Sequence, residues 1–378
     1  MDKLASPCFI HYGAPSQSFK PYNTLLRSTS LLTPTPGWRS VSIARCPPTH
    51  ATKATCVDVA TGHHTKPQGG GDVVVVNGAS FDFESYLSAK AQAVNDALDA
   101  ALSRLGRCPE RLGASMRYSV LAGGKRVRPV MAIAACELVG GDAAAATPLA
   151  CAAEMIHTAS LIHDDMPCMD DDALRRGRPS NHAAFGEPTA LLAGDALLAF
   201  AFEHVARGSA ALDVPADRTL RAVAELGSAA GVGGVAAGQA ADKVSEGAPD
   251  VSLATLEHIH VHKTARLLEA AAVCGAVVGG GRDGEVVRVR RYARAVGLLF
   301  QVVDDVLDVT RTSEQLGKTA RKDVAAGKAT YPKLMGVERA RAYAGELLAE
   351  AEAELDGFDA GRAAPLRHLA RFIAYREN

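Results

Sequence analysis

Apolar positions recur at helical spacing along most of this chain. From Ser85 to Leu105 they fall at Leu87, Ala91, Val94, Leu98, Ala101, Leu102 and Leu105, one stripe of an amphipathic helix. A second helix is expected over 109–121, before Gly123-Gly124, which suits a helix C-terminus. After Lys125-Arg126-Val127-Arg128-Pro129 an apolar helix should run to Val139 and stop at Gly140-Gly141. Another is expected from about Ala144 into an acidic stretch at Asp164. Beyond a turn at Pro179-Ser180, helical patterns cover 187–207, 216–243, 253–279, 284–310, 333–356 and 362–375. Gly231, Gly233, Gly234 and Gly238 allow close contact or a kink within 216–243. The one strand-like run is Val73 to Val76, ahead of the main domain. The pattern predicts an all-α bundle of roughly ten or more helices, without sheet or internal repeat.

Composition agrees. Aromatics are only 5% of the 378 residues and alanine is abundant, which favours close-packed helices. A formal net charge of −1 gives no reason to expect a nucleic acid partner. The eight cysteines are scattered without a CxxC and read as free thiols. No membrane span is expected, because the most apolar runs are interrupted by Asp195 and Glu269. Residues 1–57 carry one acid against six Lys and Arg and are rich in Ser, Thr and Pro, as organelle transit peptides are. A plastid leader over 1–57, a Gly-rich linker over 58–80 and a folded domain over 81–378 are therefore expected.

Two acidic stretches carry the chemistry. Five aspartates fall between Asp164 and Asp172, at the end of an apolar helix, and Arg175, Arg176 and Arg178 follow. Two uncompensated carboxylates about 4 Å apart repel by about 4 kcal/mol at an effective dielectric near 20. A hard divalent cation with oxygen ligands relieves that, and the arginines suggest a phosphate. On an unbroken helix Asp170 would face away from Asp164, so an irregular turn near Pro167 is expected to bring it back. Upstream, His157, Ser160 and Asp164 share one helix face. The second stretch is Asp304-Asp305-x2-Asp308 in an otherwise apolar helix, with Asp304 and Asp308 on one face. Two such walls across a cavity could grip one diphosphate through metal ions, with Lys125, Arg126, Arg128, Lys318, Arg321, Lys322 and Lys328 completing the electrostatics.

From about Phe81 to Asn378 the chain resembles the trans-isoprenyl diphosphate synthases, and among them the plant geranylgeranyl type. The resemblance rests on Gly123-Gly124-Lys125-Arg126-Val127-Arg128-Pro129, His157 with Asp164-Asp165-x4-Asp170, Leu174-Arg175-Arg176-Gly177, Gly238-Gln239, Lys263-Thr264, Gln301 with Asp304-Asp305-x2-Asp308, and the run from Gly317-Lys318-Thr319 through Lys328 to Pro332. It implies the all-α isoprenoid synthase bundle around a central cavity, normally a homodimer. It also implies that Asp164, Asp165, Asp170, Asp304, Asp305 and Asp308 bind two or three Mg²⁺ holding an allylic diphosphate. Arg175, Lys263, Thr264, Gln301, Lys318 and Lys328 would contact that diphosphate. Lys125, Arg128, His157 and Arg176 would bind isopentenyl diphosphate.

The implied reaction is sequential head-to-tail condensation of isopentenyl diphosphate with dimethylallyl, geranyl and farnesyl diphosphates, giving a C20 product in a plastid. Ala159 and Ser160 would line the chain-length pocket. Ala159 stands where similar plant enzymes commonly carry Met, which leaves C25 or longer open, with C10 a further alternative. Pro167-Cys168 resembles the C20 type. Ala132 replaces the first residue of a Cys-x3-Cys that some plant members use at a subunit contact, which weakens the case for a small regulatory partner. Arg321 stands between two lysines where a small residue is common. A class I terpene cyclase would have a different second metal motif. A non-catalytic regulatory subunit would lack intact aspartate motifs.

Overall fold

The computed structural model describes residues 75–76, 79–248, 250–311 and 327–376. The expected leader, most of the expected linker and Lys318, Arg321 and Lys322 lie outside the described residues. The folded part is an all-α bundle. Its first helices are α1 Phe83–Ser103, α2 Glu110–Val120, α3 Val127–Leu138, α4 Ala143–Asp164, α5 Asn181–Phe185 and α6 Glu187–Ala211. They are followed by α7 Ala216–Ala230, α8 Val235–Ser245, α9 Leu253–His260, α10 Arg266–Val278 and α11 Asp283–Thr310. After residue 327 come α12 Tyr331–Met335, α13 Val337–Glu354 and α14 Ala360–Tyr375.

The bundle is organised around α10, in which every residue from Leu267 to Val278 is buried. A helix apolar on all sides must be covered on all sides, and α10 packs on α3, α4, α7 and α11. Burying Leu267 or Leu268 contributes about 1.5–3 kcal/mol each. Within α10, Glu269 is fully buried, and Arg266, Arg290 and Arg294 neutralise it, with Arg290 Nη1 at 2.7 Å. One core cluster joins α10 to α3, α11, α13 and α14, and the other joins it to α1, α2, α4, α6 and α7.

The structure corrects the sequence reading in four places. The expected helix 216–243 breaks between Ala230 and Val235, where Gly231, Gly233 and Gly234 fall. The expected helix 253–279 contains a π-turn at Val261–Ala265. The expected helix 333–356 is interrupted at Gly336, whose φ is 82°. Sheet is also present in miniature: Val75–Val76 pairs with Ala79–Ser80, and Leu174–Arg175 pairs with Arg178–Pro179, both antiparallel. The second hairpin turns at Arg176-Gly177 rather than at Pro179-Ser180, with φ of 54° and 73°. Positive φ at both central residues is what a right-twisted two-residue hairpin requires.

Among the described residues, α6 is the one helix long and apolar enough, by length and composition, to cross a membrane. It carries Asp195 and packs along α4. Five cysteines among the described residues, Cys108, Cys136, Cys151, Cys168 and Cys274, are free. Cys136 is buried in the chain's own core, and burial first, then Glu137, pushes its thiol up to about 12.

Candidate active site

The first acidic wall begins where α4 ends. Asp164 is its last residue, and the chain then doubles back: the Asp170 amide donates to the Asp164 carbonyl at 3.0 Å, and the Asp172 amide to the Asp165 carbonyl at 3.1 Å. This irregular turn contains Pro167 and returns Asp170 toward the helix end. Lysines from three separate elements meet the wall. Lys243 of α8 lies 3.2 Å from Asp170, Lys263 of the π-turn lies 3.9 Å from Asp164, and Lys328 lies 3.8 Å from Asp170. Gln239 donates to Asp164.

A seventh carboxylate joins them. Asp242 accepts from Lys263 at 2.7 Å and lies 3.7 Å from Lys328. The sequence reading missed Asp242 and Lys243, although Asp242 sits three residues after Gln239 and so shares its face of α8. Burial opposes ionisation at Asp170 and Asp242, but the lysines outweigh it and hold both below the ordinary carboxylate range. At Asp164 and Asp165 burial wins and raises the pKa, despite Lys263 at the first and Arg175 at the second.

Two glycines set the π-turn in place. A Cβ on Gly238 of α8 would lie 2.1 Å from the Lys263 amide nitrogen, and one on Gly297 of α11 would lie 2.5 Å from the Ala265 Cβ. The turn is thus pressed between α8 and α11 where side chains would not fit. It sends Lys263 to the first wall, while Thr264 donates to Gln301 Oε1 of α11 at 3.3 Å. Single π-turns of this kind occur often at functional sites.

The second wall, on α11, is built differently. Asp305 is 2% exposed and accepts from the Gln301 amide at 2.9 Å and from the Tyr331 backbone N–H at 3.0 Å, so it holds the N-terminus of α12. Asp304 is more open and meets Arg376, whose Nη2 is 3.4 Å away. Asp308 is buried, and its Oδ2 has no hydrogen-bond partner among the described residues. The six aspartates were expected to serve alike. The geometry separates Asp165, forked by Arg175 with Nε 3.1 Å from both oxygens, and Asp305 from the rest. Arg175 also lies 3.6 Å from Asp172.

The basic residues after the Gly-Gly turn divide as well. Arg126 is buried in an ion pair with Glu154 at 2.5 Å and donates to Asn95 and the Val120 carbonyl, a structural set. Arg128 has a buried Nε without a partner among the described residues, and burial lowers its pKa to about 10. Arg176 donates to the Gly123 carbonyl, so the hairpin is pinned to the Gly-Gly turn. Burial, then the charges of Arg128, Arg176 and Arg175, press the His157 imidazole well below its ordinary pKa and keep it neutral. Lys125 lies over the Phe372 ring, 5.6 Å from its centroid.

Below the first wall lies a cavity of about 670 Å³. Its polar rim includes Arg128, His157, Asp164, Gln239 and Lys263. Ala159 lies on its wall with Met166, Leu191, Leu198, Ala230 and Val235, giving an apolar body. Ser160 also lines it and donates to the His157 carbonyl at 2.8 Å. A charged mouth over an apolar shaft suits a substrate with an anionic head and a hydrocarbon tail.

No three His, Cys, Asp or Glu side chains among the described residues converge closely enough to form a metal cage on their own. Mg²⁺ is commonly held by one or two carboxylates, waters and substrate phosphate oxygens. The hard oxygen donors of Asp164, Asp170 and Asp304, and the orphaned oxygen of Asp308, fit such an ion.

The polyprenyl synthetase family profile matches residues 109–356. The chloroplastic large subunit 1 of heterodimeric geranylgeranyl pyrophosphate synthase from Arabidopsis thaliana is 59% identical over 302 residues, 79% of this chain and 81% of that protein. A chloroplastic geranylgeranyl pyrophosphate synthase from Catharanthus roseus is 57% identical over 300 residues, 79% and 83% of the two chains. Among solved structures, geranylgeranyl pyrophosphate synthetase from Pyrococcus horikoshii superposes with a TM-score of 0.71 at 29% identity, over 78% of this chain and 99% of that one. An FPP/GFPP synthase from Zymomonas mobilis gives 0.68 at 36% identity, over 77% and 98%.

Proposed function

The chain belongs to the polyprenyl synthetase family, and we propose that it makes geranylgeranyl diphosphate from isopentenyl diphosphate and allylic diphosphates, with Mg²⁺. The observation that supports this reading is an acidic wall met by three lysines, with Asp164, Lys243 and Lys263 lining an otherwise largely apolar cavity. Asp164, Asp170, Asp304 and Asp308 would hold two or three ions. Bound Mg²⁺ would supply electrophilic stabilisation of the departing diphosphate.

The protein's own groups do the rest. Lys263 and Lys328, with Lys318 outside the described residues, would take diphosphate oxygens as charge builds there. Arg175 fixes Asp165 and so shapes the turn that carries Asp170. Thr264 and Gln301 would tie the π-turn to α11 beneath the diphosphate. Lys125, Arg128 and Arg176 would seat the isopentenyl diphosphate beside neutral His157. The apolar shaft excludes water from the allylic cation. The departed diphosphate would accept the proton, and the lengthened product would re-enter as the next allylic substrate.

Ala159 on the shaft wall gives one observation in favour of a second product reading, C25 or longer, because a methyl side chain leaves the shaft open. Complete aspartate motifs argue against a non-catalytic regulatory role. Assembly as a homodimer is part of the proposal, with pairing to a small regulatory subunit as the alternative, since the Arabidopsis relative is named a heterodimer's large subunit. The basic, hydroxyl-rich residues 1–57 and the chloroplastic relatives support residence in a plastid. The test is turnover by the purified chain alone with isopentenyl and farnesyl diphosphates and Mg²⁺. A C20 product supports the proposal, and no condensation refutes it.

A further inference from the structure

Three glycines, Gly231, Gly233 and Gly234, separate α7 from α8. Glycine accepts many backbone conformations, so this stretch has little local preference for any one bend. The bend matters to the shaft, because Ala230 before it and Val235 and Ala236 after it line the cavity. Something outside the stretch has to hold it. Arg266, the first residue of α10, does so with three donors. Its Nε donates to the Gly233 carbonyl at 3.1 Å, its Nη2 to Ser228 Oγ of α7 at 3.2 Å, and its Nη1 to Glu269. One planar, permanently charged group thus spans the end of α7, the bend and α10.

Charge balance does not account for Arg266. Among the described residues, Glu225 and Glu269 share Arg266, Arg290 and Arg294, so guanidinium groups outnumber carboxylates. Arg290 bridges both carboxylates, with Nη1 2.7 Å from Glu269 and 3.1 Å from Glu225, and Arg294 lies 2.9 Å from Glu269. Without Arg266 this cluster would be neutral, and the fully buried Glu269 would keep both other arginines. Arg266 is the member whose remaining donors leave the carboxylates for neutral acceptors at the bend. It also directly follows the π-turn, whose Lys263 and Thr264 line the same cavity. The bend is therefore fastened to the element that carries the polar end of the shaft.

We propose that Arg266 is a positioning residue for product length: it fixes the glycine bend between α7 and α8 relative to the π-turn, and so sets one wall of the shaft against the hydrocarbon tail. This rests on the reading of the cavity as the site of a growing prenyl chain. Product length is the distance from the held diphosphate to the wall that stops the tail. A loosened bend lets Ala230 and Val235 shift, and chains then leave over a range of lengths instead of at one.

The test is Arg266→Met in the full chain, which keeps an apolar stem and removes every donor. Arg294→Met, which takes a partner from Glu269 without reaching the bend, is the comparison. In hydrogen–deuterium exchange of the substrate-free proteins, backbone amides over 228–238 should exchange about tenfold faster in Arg266→Met, the scale of one charge-assisted hydrogen bond. They should keep the parent rate in Arg294→Met. With isopentenyl and farnesyl diphosphates and Mg²⁺, the ratio of minor to main products should rise several-fold in Arg266→Met and stay at the parent value in Arg294→Met. Arg266→Lys, which keeps the charge without the fork, should fall between. Unchanged exchange, an unchanged product ratio, or equal changes in the two methionine variants overturns the proposal. If Arg266→Met does not fold, Arg266→Lys carries both measurements under the same criteria. If the unaltered chain condenses nothing, the functional reading fails and the product-length role with it, while exchange still decides whether Arg266 holds the bend.

Discussion

The two acidic walls begin with the same Asp-Asp pair, yet the fold treats them differently. At the first, three lysines from α8, the π-turn and the segment before α12 gather around Asp164, Asp170 and Asp242. At the second, among the described residues, Asp305 accepts from a backbone N–H and an amide, Asp304 meets the Arg376 guanidinium, and Asp308 Oδ2 has no hydrogen-bond partner. Lysine ammonium groups are point charges on flexible stems and can yield to an ion or turn to a phosphate. A backbone amide cannot. One regularity survives the difference. In each pair the second aspartate is only 2% exposed and firmly held, while the first is more open. In each pair the buried carboxylate is the anchoring one, and the open one is the proposed gripping one, a metal ligand.

The largest effect should come from the gripping side. Asp304→Ala should lower kcat by about 10²-fold or more, the scale of losing one preorganised electrostatic contact to a developing charge. Steady-state turnover checks this, and unaltered turnover would remove Asp304 from the metal site. The anchoring side should answer in stability. Asp305→Ala strips the buried Tyr331 N–H of its acceptor and should cost about 1–3 kcal/mol, visible as a lower Tm. Asp304→Ala should leave Tm nearly unchanged. Equal melting of the two variants would erase the division between them.

A smaller change is expected upstream of the first wall. Ala159→Met puts a longer side chain into the shaft and should shorten the product without abolishing condensation. Chromatography of the dephosphorylated products reads it out, and an identical distribution would assign the shaft floor to another residue.

The smallest effect concerns pH. Lys263, then Lys328, hold Asp242 below its ordinary carboxylate value against the opposing effect of burial. That stabilisation is complete above about pH 3.8 and is lost as pH falls through the depressed pKa. Asp242→Asn should therefore flatten the acid limb of a Tm-against-pH curve. A curve parallel to that of the parent would show that these ion pairs contribute nothing.

Much of this could be read along the chain, and the gaps have physical causes. Long amphipathic stripes such as Leu87 to Leu105 locate helices because burial of one face decides the structure. The turn that returns Asp170 follows from Pro167. The π-turn was not legible, because its residues keep helical character and the extra residue is imposed by the close approach of Gly238 and Gly297. The Arg176-Gly177 hairpin was hidden by an arginine at positive φ, which local preference does not favour. Asp165 and Asp305 looked like their neighbours, since their roles depend on Arg175 and Tyr331. No spacing links Arg376 to Asp304, because their meeting is purely tertiary.

Calorimetric binding of a non-ionisable allylic diphosphate analogue, with and without Mg²⁺, tests the division of each pair most directly. Asp304→Asn and Asp305→Asn are compared with the parent below the melting range of all three. Metal-dependent binding should be lost in Asp304→Asn and largely kept in Asp305→Asn. Equal loss in both variants, or loss confined to Asp305→Asn, would contradict it.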